Sequence, residues 1–262
     1  MTRGPDVVFL GPSLTREAAA EIHPDAIYLP PAAMGDVLAA VRRYRPRAIG
    51  LIDGTFLSNM SVFHKELLYA MDRGAWLLGS SSMGALRAAE CRQYGMIGVG
   101  SIYQALVDGT IEDDDEVALT HGDAKSGFRN LSDAMVTIRA TIAGAVEEGV
   151  IPAGMAADLI ERQKSRWFPE RHLSATVSDA RELGLPETAV EVLRAHLRHN
   201  VIDPKRSDAE ELLRTMRGLP DTPFPDPPGV VMSVVFRAVL ARDLVVETDS
   251  GSGVSYERMR HY

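Results

Sequence analysis

Gly74-Ala-Trp-Leu-Leu-Gly-Ser-Ser-Ser-Met-Gly-Ala-Leu-Arg-Ala-Ala-Glu90 changes character once, in its middle. Ala75 to Leu78 is a short apolar run between two glycines, too short for a helix and suited to a strand buried on both faces. Met83 to Glu90 consists almost wholly of strong helix formers. The joint between them is a strand-to-helix turn made of Ser80, Ser81 and Ser82. Such a turn directs backbone N–H groups past the carboxyl end of a strand, where the positive end of the helix dipole favours developing negative charge.

Upstream, the same alternation repeats. Val7 to Leu10, Ala26 to Leu29 and Ala48 to Ile52 read as buried strands. Helices are predicted over Thr15 to Ile22, Met34 to Arg43 and Val62 to Asp72. Four strands alternating with four helices through short connections predict an open, mostly parallel sheet with helices on both faces, a Rossmann-like or flavodoxin-like α/β fold. Ser13, Asp53-Gly54 and the three serines then fall along one sheet edge, the edge at which such folds bind ligands.

Beyond the serines, Gly95 to Gly100 is punctuated by glycine, Ile102 to Val107 continues as a helix, and Glu112 to Glu116 is a run of five acids before a strand-like Val117 to Leu119. From Leu131 onward the pattern is helical: Ser132 to Glu148, Pro152 to Trp167, Glu187 to His199 and Ser207 to Met216, with an apolar closing segment over Val230 to Val246. This predicts an α/β core over residues 1–128 and a mainly helical region over 129–262.

A formal net charge of −8 argues against sequence-independent nucleic-acid binding, which needs a concentrated basic face. The single cysteine, Cys91, excludes an intramolecular disulfide and a thiolate metal cluster, and reads as a buried structural thiol. Neither a signal-peptide core nor a membrane-spanning apolar run is visible, so the expected compartment is the cytoplasm and the expected partners include neither nucleic acid nor membrane.

Several residues carry candidate chemistry. Ser80-x-Ser82-x-Gly84 fits the small-x-nucleophile-x-small pattern of a sharp elbow, which favours Ser82 as nucleophile; Ser81 takes its place if the turn sits one residue earlier. The plainer reading is an N-cap that cradles an anion. Asp53 ends an apolar strand and precedes Gly54, a pairing that suits a turn needing positive φ or a close ligand approach. His64 and Lys65 stand early on a helix, as a candidate base and a candidate cation. Arg87 and Glu90 are spaced to pair on the helix surface. The acid run reads as a solvated turn or docking edge, since hard-metal loops interleave other oxygen donors.

An ordered series of short motifs resembles the TfuA family: Phe9-Leu-Gly-Pro-Ser-Leu14, Pro30-Pro31 with Gly35-Asp36, Ile52-Asp-Gly54 with Phe56, His64-Lys-Glu66, Gly79 to Glu90, Gly95-Met96 with Gly98, and Asp114 to Ala118. The series covers roughly half the chain, residues 7 to 122, and Ala134 to Thr141 adds a further similar stretch. The resemblance implies a partner of YcaO enzymes, which install thioamides in peptide backbones with ATP. It implies hydrolysis of the C-terminal thiocarboxylate of a ubiquitin-like sulfur-carrier protein, releasing sulfide for the YcaO enzyme. On that reading Ser82 or Ser81 is the nucleophile and His64 the base. Lys65 and backbone N–H groups hold the oxyanion, Asp53 orients, and Ser13, Gly54, Ser80, Gly84 and Arg87 serve substrate binding. In an alternative arrangement Lys65 activates the serine directly. Neither mechanism requires a metal or another cofactor. Two other classes stand beside it: a non-catalytic adaptor between carrier and YcaO enzyme, and a small-molecule hydrolase. The sequence leaves open assembly into a homo-oligomer.

Overall fold

The computed structural model describes residues 4–56 and 60–229; the closing apolar segment expected over 230–246 lies outside them. The chain forms two compact units, one built from residues up to Val107 together with those from Asp208 onward, the other from Asp108 to Ser207. The sequence pattern alone predicts a division at 128.

In the first unit, five strands, β1 (Val7–Phe9), β2 (Ile27–Leu29), β3 (Ala48–Leu51), β4 (Trp76–Ser80) and β5 (Ile97–Val99), form one sheet in the order β2-β1-β3-β4-β5. Every pairing is parallel, with Val7 opposite both Ile27 and Ile49, Leu51 opposite Gly79, and Gly79 opposite Gly98. This is the flavodoxin-like order, whose switch point lies between β1 and β3. The α/β reading is therefore correct, with one strand more than the sequence pattern predicted.

The strands are short and apolar on both sides, and each face is covered. Val7, Phe9, Ile49, Leu51 and Leu77 pack under α2 (Asp36–Tyr44), α3 (His64–Asp72) and α4 (Met83–Cys91). Val8, Leu10, Ile52, Leu78 and Val99 pack on the other face, with α1 (Arg16–Ile22) and α10 (Pro204–Arg217). Gly50 makes room for α10, because a Cβ there would lie 2.6 Å from Met216 Sδ. Arg47 fastens the end of that helix: it donates to Asp6 at 2.9 and 2.6 Å and to the carbonyls of Leu219 and Met216 at 2.8 and 3.0 Å. Asp208 of α10 in turn caps α5 (Ser101–Val107), accepting Ser101 N at 2.9 Å and Ile102 N at 2.8 Å.

Glu66 performs the same service twice. It sits at the third position of α3 and accepts the backbone N–H of Phe63 at 2.7 Å, supplying the acceptor that the apolar N-cap residue lacks. The same carboxylate accepts Gly35 N at 3.0 Å and Leu38 N at 3.2 Å, so it also caps α2. Burial pushes the Glu66 carboxyl up to about 7, against the pull of those backbone donors and with the help of nearby Asp36.

The second unit packs α6 (Met135–Glu147), α7 (Ala153–Ser165), α8 (Ala175–Glu182) and α9 (Glu187–His199) around Met135, Ile138, Ile142, Leu159, Val190 and Leu193. The sequence pattern marked all of these helices except α8. Val117 to Leu119 forms no strand; a turn of 3-10 helix at Asp114–Glu116 leads into irregular backbone there.

Because the Glu66 value rises on folding from the ordinary 4.5, the folded chain binds a proton that the unfolded chain releases. Its contribution to stability is complete below pH about 4.5 and declines as the pH climbs towards about 7, by at most about 1.4 kcal/mol per pH unit. Urea denaturation at pH 5 and pH 7 should show the wild type losing stability relative to Glu66→Gln over that interval. Parallel changes in the two proteins would assign the slope to other groups.

Candidate functional site

The switch point brings together the chain just after β1, β3 and β4. Asp53, 1% exposed, follows β3 and turns its carboxylate towards the loop after β1. Oδ2 accepts the backbone N–H of Gly11 at 2.8 Å and of Ser13 at 3.1 Å, and Oδ1 accepts the Ser13 hydroxyl at 2.6 Å. Ser13 Oγ in turn accepts the hydroxyl of Ser81 at 2.8 Å. A continuous chain of donors therefore runs from Ser81 through Ser13 to the Asp53 carboxylate, joining three strand ends.

Ser81 occupies the sharp turn itself. Its φ is +67°, in the left-handed region that an L-residue other than Asn or Asp seldom adopts. Ser82 N–H donates back to Ser80 O at 2.7 Å, closing a three-residue turn around Ser81, the rarer and more strained kind when its central φ is positive. Two glycines make the bend feasible: a Cβ on Gly79 would stand 2.1 Å from Gly84 O, and one on Gly84 would stand 1.8 Å from Leu51 O. The elbow is thus centred on Ser81, the residue the sequence pattern ranked second. Ser82 becomes the N-cap of α4 without a side-chain cap bond, and the buried Ser80 hydroxyl has no hydrogen-bond partner among the described residues.

The first turn of α4 supplies the local field. Gly84 N–H is held by Ile52 O at 3.2 Å and Ala85 N–H by Ser82 O at 2.9 Å. Met83 N–H, one position earlier, has no carbonyl within the helix to receive it. Gly54 keeps out of the left-handed region; its small size is used instead against Met83, whose Cγ would lie 2.6 Å from a Cβ there.

The other candidates lie elsewhere. His64 Nε2 pairs with Glu90 Oε2 at 2.7 Å on the surface, and Arg87 reaches the same oxygen at 2.7 Å while its Nε donates to Val62 O at 3.1 Å. Burial would raise the Glu90 carboxyl, but hydrogen bonds from His64 and Arg87 hold it below its ordinary value. Glu90 stands seven residues along α4 from Met83, so this trio lies roughly 10 Å from the helix start. The structure places His64 with Glu90 and not with a serine, and Lys65 is half-buried beside it on α3. Cys91 is buried, and burial together with Glu90 pushes its thiol up to about 11, which suits a structural role.

In the second unit the acid run gathers around cations of the same chain. Lys164 Nζ lies 3.0 Å from Asp113 Oδ2 and from Glu116 Oε1 and bonds Asp115 as well. Arg139 forks onto Glu116 with two bonds of 2.9 Å. Arg171, 1% exposed, reaches the Asp115 carboxylate and the carbonyls of Asp115, Gln163, Lys164 and Arg166. Burial would raise the Asp115 and Glu116 carboxyls, yet these hydrogen bonds hold both below the usual range. Asp113, Asp115 and Glu116 are thus neutralised within the chain, while Glu112, Asp113 and Asp114 are exposed, in keeping with the solvated turn or docking edge expected of the run.

Fold and site together define a flavodoxin-like α/β protein with a serine elbow at its switch point. Residues 53–172 match the model of a family described as TfuA-like protein. The matched span holds Asp53, the elbow and the Asp115–Lys164–Arg171 cluster, while Ser13 precedes it. No curated protein matches the chain. Among the described residues, no helix is long and apolar enough to cross a membrane.

The strain at position 81 can be separated from its hydroxyl. Ser81→Ala and Ser81→Gly both lose the bond to Ser13, but glycine alone tolerates the left-handed backbone. The glycine variant should therefore be more stable than the alanine variant by roughly 1–2 kcal/mol in chemical denaturation. Equal stabilities would mean that Ser81 is not strained.

Proposed function

We propose that this chain supports YcaO-dependent thioamidation of peptides in the cytoplasm by hydrolysing the C-terminal thiocarboxylate of a ubiquitin-like sulfur carrier and passing the sulfide to a YcaO partner. The observation that carries the reading is Ser81, held in a strained elbow at a helix N-terminus with its hydroxyl already donating towards a buried carboxylate. A thiocarboxylate is an acyl group, and its cleavage needs a nucleophile, a route for the proton and stabilisation of a tetrahedral oxyanion.

In this mechanism Ser81 Oγ bonds to the carbonyl carbon while its proton moves to Ser13 Oγ and the Ser13 proton moves to Asp53. The C–S bond then breaks; the departing sulfur takes the proton and leaves as hydrosulfide, with the acyl group on Ser81 as an ester. Water attacks the ester, Ser81 regains its proton, and the carrier departs with an ordinary carboxylate. The positive end of α4 faces the developing oxyanion. His64 would have to leave Glu90 to act as base, whereas Ser13 and Asp53 already stand at hydrogen-bond distance.

One observation favours a second reading. Ser81 is fully buried, as are Ser80 and Ser13 within a few per cent, which suits a hydroxyl network that locks three strand ends in an adaptor between carrier and YcaO enzyme.

Sulfide release from a thiocarboxylated carrier separates the two. For the hydrolase, Ser81→Ala should lower the rate by about 10³-fold or more. Asp53→Asn should also lower it strongly, and Ser82→Ala should leave it within a few-fold. Retention of carrier binding by Ser81→Ala would confirm that the loss is chemical. A wild type that binds the carrier yet releases no sulfide would establish the adaptor.

A further inference from the structure

Two hydroxyls at the switch point, Ser80 Oγ and Thr55 Oγ1, are buried with no hydrogen-bond partner among the described residues. A hydroxyl left unpaired in a protein interior gives up its water without compensation, so a fold that keeps one calls for a reason. Ser80 stands two places after Leu78 on β4, and strand alternation puts it on the same face, towards the layer of Leu10, Leu14 and Val99. It is sealed inside the sheet. Thr55 lies beyond the end of β3, at the outer rim of the site.

The backbone fixes the side to which Thr55 turns. Ala32 N–H donates to Asp53 O at 2.9 Å and Thr55 N–H donates to Ala32 O at 2.9 Å, the two bonds of a parallel bridge about Gly54. Residues 53–55 are therefore extended, and their alternate side chains share a face. A Cβ on Gly54 would stand 2.8 Å from Met83 Cβ, so Asp53 and Thr55 both face away from the Met83 side chain. Asp53 uses that side to hold Gly11 and Ser13, the relay that ends at Ser81. Thr55 thus stands on the side of the relay, about 6.6 Å further along the segment than Asp53, the span of two residues of extended chain.

Outside Thr55 the rim is apolar. Met60 is 63% exposed, and Phe63 and Met34 are exposed as well. Printed on one patch of backbone, they stay together: Met34 N–H donates to Met60 O at 2.8 Å, and the Ser61 hydroxyl donates to Thr55 O at 3.0 Å. An unpaired hydroxyl beside a group of exposed apolar side chains offers an extended peptide both a partner for its backbone and contact for its side chains.

We propose that the Thr55 hydroxyl bonds the backbone of the carrier's C-terminal tail within its last three residues, holding the tail extended across the rim of Met34, Met60 and Phe63 towards Ser81. This contact rests on the carrier reading given above, and it serves hydrolase and adaptor alike, since both dock the tail at the elbow. A threonine hydroxyl donates to a tail carbonyl while keeping its lone pairs free, and no proton of the reaction passes through it.

Calorimetry on the full chain tests this, with the ubiquitin-like carrier in its carboxylate form as probe and the same carrier lacking its last four residues as control. Thr55→Val keeps the branched shape and removes the hydroxyl. It should bind the intact carrier about three- to tenfold more weakly than wild type. Thr55→Ser, which restores the hydroxyl, should bind it like wild type, and all three proteins should bind the shortened carrier alike. Without carrier, Thr55→Val should melt at or above the wild-type temperature, because a methyl group replaces an unpaired hydroxyl. The proposal is overturned if Thr55→Val binds the intact carrier as tightly as wild type, or if it loses the same factor on the shortened carrier. It is overturned too if Thr55→Val melts below wild type, which would make the hydroxyl a structural bond. A wild type that binds neither form of the carrier refutes the carrier reading itself, and this contact with it.

Discussion

The carboxylate of Asp53 decides how three strand ends meet. It leaves β3 and immediately takes two backbone N–H groups and one hydroxyl from the loop after β1, so the two strands that flank the switch point are tied at their carboxyl ends. Through Ser13 the tie extends to the loop after β4. Hydrogen bonds to an ionised acceptor are worth about 1.5–3 kcal/mol each when buried. The strain at Ser81 costs about 1–2 kcal/mol, less than such a network returns. The elbow is stable because the carboxylate beneath it is fully engaged.

The strands and most helices were readable from local pattern, because each is a short apolar run or an amphipathic segment between glycine, proline or serine punctuation. β5 escaped because Gly98 interrupts it; the glycine is there for the Tyr103 ring, which would lie 2.1 Å from any Cβ. Val117 to Leu119 looked like a strand but pairs with no strand among the described residues, and its first carbonyl accepts Lys205 Nζ at 2.9 Å. α10 was legible as a helix, but its return to cover the sheet was not, since Arg47, Gly50 and Met216 are far apart in sequence and meet only through topology.

The site was half legible. Serines, Asp53 and Ser13 were recognisable as residues of one sheet edge because parallel topology forces strand ends into line. Which serine takes the bend was not, because the small-residue pattern fits the next serine better: Ser80 and Gly84 stand two places to either side of Ser82, whereas Met83 stands two places after Ser81. The separation of His64 from the elbow follows from its partner on α4, which no local spacing announces.

The lysine inside the acid run carries a consequence of its own. Three carboxylates close enough to share an ion already share an ammonium tethered to α7, and further positive charge arrives from Arg139 and Arg171. A divalent ion entering there would have to evict a cation that cannot diffuse away. The helical unit has therefore internalised a counterion for these three carboxylates.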